Sequence, residues 1–201
     1  MKHKKFGTRE MVTTAMLSAI LLIMSFTPLG YLNIGPLAIS FNMIPVAIGA
    51  IALGPIGGMI LGGMFGITSF LQCLGIGGVS AMGVVLFEIN PFLAFVQRFM
   101  PRLVAGLLSG LIFKGVKQLS NASVSCFVTG FASALLNTLL FMSALVLLFG
   151  TTEYVQGLMG GRNVLLFICG FVGINAVVEM IAASAIVGVV GKVLSKYLIR
   201  R

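Results

Sequence analysis

The 201-residue sequence contains no tryptophan and no aspartate, and only 8% of its residues are charged. Its four acidic residues are glutamates, and its single histidine, His3, lies in the basic N-terminal segment. Without a histidine in the apolar part of the chain, histidine-based catalysis and histidine-ligated metal sites are excluded. The sequence also lacks a Walker phosphate loop, a carboxylate pair and a serine beside a base. It therefore predicts a protein that is not an enzyme and has no cofactor or metal site.

Apolar residues are abundant: they make up 59% of the chain, and the mean hydropathy is +1.15. This composition is typical of a multi-pass protein of the cell membrane that contacts the lipid bilayer. The net charge of +9 comes from lysines and arginines near the ends of apolar runs, which indicates topology signals and not a nucleic-acid surface. The three cysteines, Cys73, Cys126 and Cys169, are widely separated in apolar surroundings, which predicts buried free thiols.

Six transmembrane helices are predicted, because a span needs about 20 apolar residues. Four runs are long enough alone: 10–28, 92–113, 122–148 and 165–191. The uncharged stretch 37–72 is too long for one straight span at about 1.5 Å per residue. We predict a break at Gly54-Pro55 and two helices, 40–53 and 55–72. No linker marks a second domain, so we expect residues 1–201 to form one all-α membrane domain.

The basic residues predict the orientation of the helices. They precede helix one and follow helices four and six, and these three places lie on one side of a six-helix protein, whereas the opposite side has only Arg162. We therefore expect both termini to be cytoplasmic. The basic residues on that side are Lys2, Lys4, Lys5, Arg9, Lys114, Lys117, Lys192, Lys196, Arg200 and Arg201.

Buried charges form the main functional signal. Arg98 and Arg102 are four residues apart, as are Asn175 and Glu179, so each pair shares a helical face. Arg102, Glu179 and Asn137 fall near the predicted membrane midplane, where a charge costs about 2.5–3.5 kcal/mol on insertion scales and needs a partner. We predict that Arg102 and Glu179 form a structural ion pair and that Arg98 remains for an anionic ligand. Alternatively, Arg98 extends to the membrane interface.

The predicted substrate-binding side chains combine Arg98 with neutral amides. Amide groups of Asn and Gln donate and accept hydrogen bonds, which suits a small polar ligand. The predicted set is Arg98, Asn137, Asn175, Gln72, Asn90 and Asn42. Glycines recur every fourth residue at 54, 58, 62 and 66, and this stripe indicates either close helix packing or a wall of the substrate site.

Small residues recur at Ala15 and Ala19 in "TTAMLSAI". Four longer strings, "ISFNMIPVAIGAIALGPIGG", "FGITSFLQCLG", "LFEINPFLAFV" and "MPRLVAG", together cover residues 39 to 106. With six predicted helices, these features resemble one family of transport proteins, the substrate-binding S components of energy-coupling factor (ECF) vitamin transporters. Ala15 and Ala19 resemble the small-residue motif on the first helix of that family, and the four strings resemble its pantothenate-type members.

The resemblance implies a bacterial cytoplasmic-membrane subunit of an ABC-type importer that binds a vitamin with high affinity on the extracellular side. It also implies three partner subunits: a transmembrane T component, which would dock on Ala15 and Ala19, and two cytoplasmic ATPases. Pantothenate fits the predicted inventory, because its carboxylate needs a cation and its hydroxyls and amide need polar partners. Riboflavin or another vitamin, a stand-alone small-molecule carrier and a scaffold protein are the alternatives.

Overall fold

The computed structural model describes residues 7–33 and 38–198. In this part of the chain, seven α-helices enclose one short β-hairpin. The helices are α1 (Thr8–Phe26), α2 (Met43–Leu71), α3 (Ala81–Ile89), α4 (Pro91–Leu119), α5 (Ala122–Phe149), α6 (Glu153–Met159) and α7 (Val164–Leu198). The strands are β1 (Tyr31–Asn33) and β2 (Ala38–Ser40), and a 3-10 turn, Gln72–Leu74, follows α2.

Five segments of the described chain are long and apolar enough to cross a membrane. The prediction of a mostly helical membrane protein is therefore confirmed. The count of six spans and the cytoplasmic position of the termini stay predictions. The five segments are Thr8–Phe26, Met43–Leu74, Pro91–Leu119, Ala122–Phe149 and Asn175–Leu194.

The predicted break at Gly54-Pro55 is confirmed. Gly54 has φ 80° and ψ −169°, a conformation that interrupts α2 and that a residue with a Cβ rarely adopts. Pro55 begins the second helical segment, where its missing N–H costs no helical hydrogen bond. The interruption divides α2 into two helical segments, as the length of the apolar run requires.

The glycine stripe brings α2 close to α4. A Cβ added at Gly58 would overlap the carbonyl group of Gly106, and one added at Gly62 would overlap the carbonyl oxygen of Arg102. At Gly66 the added atom would lie 2.8 Å from the Cα of Phe99. The stripe is thus a packing surface, the first of its two interpretations, and it fixes the backbone of the helix that bears both arginines.

Two apolar clusters hold the remaining helices together. The first joins α1, α2, α4, α5 and α7 around fully buried side chains such as Leu21, Phe65 and Val187. The second joins α3, α4, α5, α6 and α7 around Leu86 and Phe149. Cys126 belongs to the first cluster, and both Cys73 and Cys126 are buried free thiols, as predicted. The side chain of Cys169 lies outside the described residues.

Sequence analysis did not identify the short elements between the long helices. β1 and β2 pair antiparallel, with Tyr31 opposite Ser40, in a stretch for which the sequence predicts no strand. Helices α3 and α6 have only nine and seven residues, too few for a periodic signal. Each is capped locally, because the Ser80 hydroxyl accepts from the Gly83 N–H and the Thr152 hydroxyl from the Val155 N–H.

The close contact of α2 and α4 predicts different effects of alanine at two glycines of α4. Gly106→Ala should destabilise the protein by about 1–3 kcal/mol, because its Cβ would overlap Gly58. Gly115→Ala is the matched control, since nothing lies within 4 Å of a Cβ at that position. Melting temperatures in detergent compare the two variants, and equal values would contradict the packing contact.

Candidate ligand-binding site

A cavity of about 500 Å³ lies where the hairpin, the loop before α3 and the helices α4, α5 and α7 meet. This volume is within the range of about 300–1,000 Å³ that holds small molecules. The end of α1 completes the wall with residues 25–28. Six of the polar residues named from the sequence line it: Gln72, Arg98, Arg102, Asn137, Asn175 and Glu179.

Arg98 lies in the wall of this cavity and is 6% exposed, so the alternative of a side chain extended to the membrane interface is not what the structure shows. One Nη donates a hydrogen bond to the hydroxyl of Ser80 at 3.1 Å. Its Nε is buried without a hydrogen-bond partner. The guanidinium carbon is 5.2 Å from the centroid of the Phe141 ring. Arg98 therefore has donor capacity left for a ligand.

Arg102 is held more tightly than Arg98. Its guanidinium carbon is 4.5 Å from the ring centroid of Phe65 and 4.9 Å from that of Phe141, so two aromatic faces contact one cation. Its Nη1 donates to the carbonyl oxygen of Arg98, one turn earlier, at 2.7 Å. These contacts give Arg102 a defined position within the bundle.

Glu179 is hydrogen-bonded to the hairpin. Its Oε1 accepts from the backbone N–H of Ser40 at 2.6 Å, and the hydroxyl of Thr138 is a further partner. Arg102 and Glu179 line the same cavity, yet the hydrogen bonds that the structure shows for each of them go to other groups. Their charges interact, and the predicted structural ion pair stays a prediction.

Gln72 connects the cavity to α1. Its side-chain Nε2 donates to the carbonyl oxygen of Ser25 at 2.8 Å. Its own backbone carbonyl accepts from the N–H groups of Gly75 and Ser80, which begin and end the loop before α3. Although Gln72 lines the cavity, one of its two side-chain N–H donors is already bonded to α1.

Asn90 and Asn42 do not line the cavity. Asn90 is the N-cap of α4, and its Oδ1 accepts from the N–H groups of Phe92 and Leu93 at 3.1 Å each. Asn42 is fully buried at the start of α2, where its Oδ1 faces Gly30. The sequence offered no way to tell these asparagines from Asn137 and Asn175, because local backbone geometry decides where each amide points.

The hairpin and two loops supply lining residues that sequence analysis missed. Tyr31 and Ser40 are opposite each other in the hairpin, and both line the cavity. Ser80, which contacts Arg98, comes from the loop before α3. The hairpin region, "LGYLNIGPLAIS", is notable in the sequence only for its lack of charged residues. That property does not predict that the region forms part of a cavity wall.

Five lining residues each carry a buried polar atom without a hydrogen-bond partner in the described structure. Two are guanidinium nitrogens, two are hydroxyl oxygens and one is an amide oxygen. Since buried polar groups are normally satisfied, these atoms indicate a polar ligand with both donors and acceptors. The atoms are Arg98 Nε, Arg102 Nε, Tyr31 Oη, Ser40 Oγ and Asn137 Oδ1.

The outer surface of α1 contains the two predicted docking residues. Ala15 and Ala19 are exposed, whereas Leu17 and Leu21 on the opposite face are buried against the bundle. Large apolar side chains such as Met16 surround the alanines. The face is apolar and has small residues at the spacing that permits close approach of another helix.

The sequence model described as "ECF transporter, substrate-specific component" matches residues 9–191. The chain belongs to this family. Two relatives of this substrate-specific component are named as pantothenate transporters. "Pantothenate transporter PanT" of Leuconostoc mesenteroides is 31% identical over 200 residues, covering 93% of this chain and 92% of the relative. "Pantothenic acid transporter PanT" of Lactococcus lactis is 24% identical over 174 residues, covering 80% and 86% respectively.

For this substrate-specific component, the contacts of Arg102 predict a structural role. Arg102→Ala should lower the stability by about 2 kcal/mol or more, because it removes a desolvated cation from two aromatic faces and leaves Glu179 with less compensating charge. Lys114→Ala, at an exposed position of the same helix, is the control. Thermal unfolding in detergent without ligand measures both, and an Arg102→Ala variant as stable as the control would refute the assignment.

Proposed function

We propose that the chain is the pantothenate-binding subunit of an ECF-type importer in the bacterial cytoplasmic membrane. The observation that carries the proposal is the cavity with two buried guanidinium groups and unpartnered hydroxyl and amide atoms. Family membership supports transport, and the names of the two relatives support pantothenate.

The chemistry of pantothenate matches the cavity group by group. Its carboxylate pairs with Arg98, which has an unpartnered Nε and a loosely held guanidinium. Its two hydroxyls and its amide bond to the polar wall formed by Tyr31, Ser40 and Asn137. Its gem-dimethyl group packs on apolar lining side chains, among them Phe141. Asn175 also lies in the wall of the cavity and is part of the proposed binding surface.

Uptake against a gradient then requires partner subunits. The sequence has no nucleotide-binding motif, so ATP hydrolysis comes from two ATPases that act through a transmembrane T component. The exposed face of α1 with Ala15 and Ala19 is the docking surface for the T component. Six spans with cytoplasmic termini place the basic helix ends toward the ATPases.

Removing the charge of Arg98 should weaken binding of pantothenate. Loss of a buried charge-assisted contact costs about 2–5 kcal/mol, which corresponds to roughly thirtyfold to several thousandfold in affinity. Calorimetry on purified wild-type protein and the Arg98→Ala variant measures this difference. Pantothenol, in which an alcohol replaces the carboxylate, should bind both proteins with similar, weak affinity.

Two controls make this experiment decisive. Lys114→Ala should bind pantothenate like the wild type, and riboflavin should compete with pantothenate in neither protein. Native affinity of Arg98→Ala for pantothenate would refute the carboxylate assignment. A wild-type protein that binds riboflavin and not pantothenate would refute the proposed substrate.

Enlarging the outer face of α1 should separate binding from transport. Ala15→Trp combined with Ala19→Trp should abolish co-purification with the T component and uptake into cells, because Trp prevents close helix approach. Pantothenate affinity of the isolated subunit should stay within about threefold of wild type, since both positions are exposed and outside the cavity. Normal assembly of the double variant would place the docking surface elsewhere.

A further inference from the structure

Three charged side chains line the cavity in the part of the chain that the structure describes: Arg98, Arg102 and Glu179. All three are buried, with exposed fractions of 6%, 5% and 8%. Two positive charges and one negative charge leave the wall with one net positive charge. Because buried charges are poorly screened, this balance acts directly on whatever occupies the cavity.

The described hydrogen bonds of Glu179 are those of an acceptor. Its Oε1 accepts from the Ser40 N–H at 2.6 Å. The hydroxyl of Thr138 is a second donor to the same group. With two guanidinium groups in the same cavity, the ionised form is favoured electrostatically.

Glu179 is therefore an acceptor that faces a ligand together with two cations. A carboxylate accepts hydrogen bonds from ligand hydroxyls and repels a second anionic group at the same place. In pantothenate, the hydroxyls and the carboxylate are at opposite ends of the molecule. With the carboxylate at Arg98, Glu179 and Ser40 are among the lining residues left to bond the hydroxyls.

We propose that Glu179 is a specificity-determining residue: it admits ligands with one negative charge and a free hydroxyl end, and it excludes their phosphate monoesters. This inference rests on the proposed function. Phosphorylation of the terminal hydroxyl removes a donor to Glu179 and adds about two negative charges beside it. A wall with one net positive charge neutralises the monoanion but not the ester.

Size does not account for this exclusion. The cavity of about 500 Å³ is within the range of about 300–1,000 Å³ that holds drug-sized molecules, and the phosphate ester of pantothenate is no larger than those. The net charge of the cavity wall is therefore the property that discriminates pantothenate from its phosphate ester. Glu179 also accepts the hydrogen bond from Ser40, so the residue proposed to discriminate ligand charge joins α7 to the hairpin.

The test compares affinities of purified wild-type and Glu179→Gln proteins for pantothenate and for its phosphate monoester. Wild type should bind the ester at least about thirtyfold more weakly than pantothenate, because close like charges oppose binding. In Glu179→Gln this difference should shrink at least tenfold, mainly through tighter binding of the ester. Gln keeps the size of Glu and an oxygen that accepts from the Ser40 N–H. Glu88→Gln, at an exposed position of α3, should keep the wild-type difference.

A second measurement needs no variant. The acetate ester of the same hydroxyl is bulky and neutral, and wild type should bind it at least about tenfold more tightly than the phosphate ester. Equal exclusion of the two esters, or an unchanged difference in Glu179→Gln, would overturn the role of Glu179 while leaving pantothenate binding in place. A wild-type protein that does not bind pantothenate would overturn the proposed function, and this inference with it.

Discussion

An arginine inside the hydrocarbon layer must find aromatic faces, acceptors or an opposite charge, since lipid tails provide none of these. This chain has two buried arginines on one face of α4, a helix that is long and apolar enough to cross a membrane. Arg102 packs on Phe65 and Phe141 and donates to a backbone carbonyl, whereas Arg98 contacts Ser80 and one of the same rings. The hairpin, the loop before α3 and the acid on α7 are all arranged around these two cations.

The glycine contact between α2 and α4 makes this arrangement feasible. Gly62 lies against the carbonyl group of Arg102, and one turn further along α2 the Phe65 ring covers the guanidinium of that residue. A larger side chain at Gly62 would separate the helices and withdraw the ring. The close backbone contact and the stabilisation of the Arg102 charge therefore depend on each other, because neighbouring turns of α2 and α4 provide both.

Composition and charge predicted much of this structure. Lengths of apolar runs located the long helices and the break at Gly54, because the thickness of a membrane limits a span. The energetic cost of a buried charge predicted that Arg98, Arg102 and Glu179 face the interior of the helix bundle, and all three line one cavity.

The hairpin and the short helices were not predictable, since their stability comes from caps and contacts and not from periodicity. Asn90 lies outside the cavity because its side chain caps α4, and Asn42 is buried at the start of α2 without a side-chain capping bond. The hydrogen bond between Ser40 and Glu179 was not predictable either, because no sequence pattern indicated the hairpin.

Tyr31 gives the cavity an optical property of its own. The chain has three tyrosines and no tryptophan, so no indole emission covers the weaker tyrosine signal. The Tyr31 hydroxyl is buried in the cavity wall without a hydrogen-bond partner, so a molecule bound in the cavity would contact this phenol ring. Occupancy of the cavity is thereby linked to the ultraviolet spectrum of the unlabelled protein, and a single introduced tryptophan would be the sole indole in the molecule.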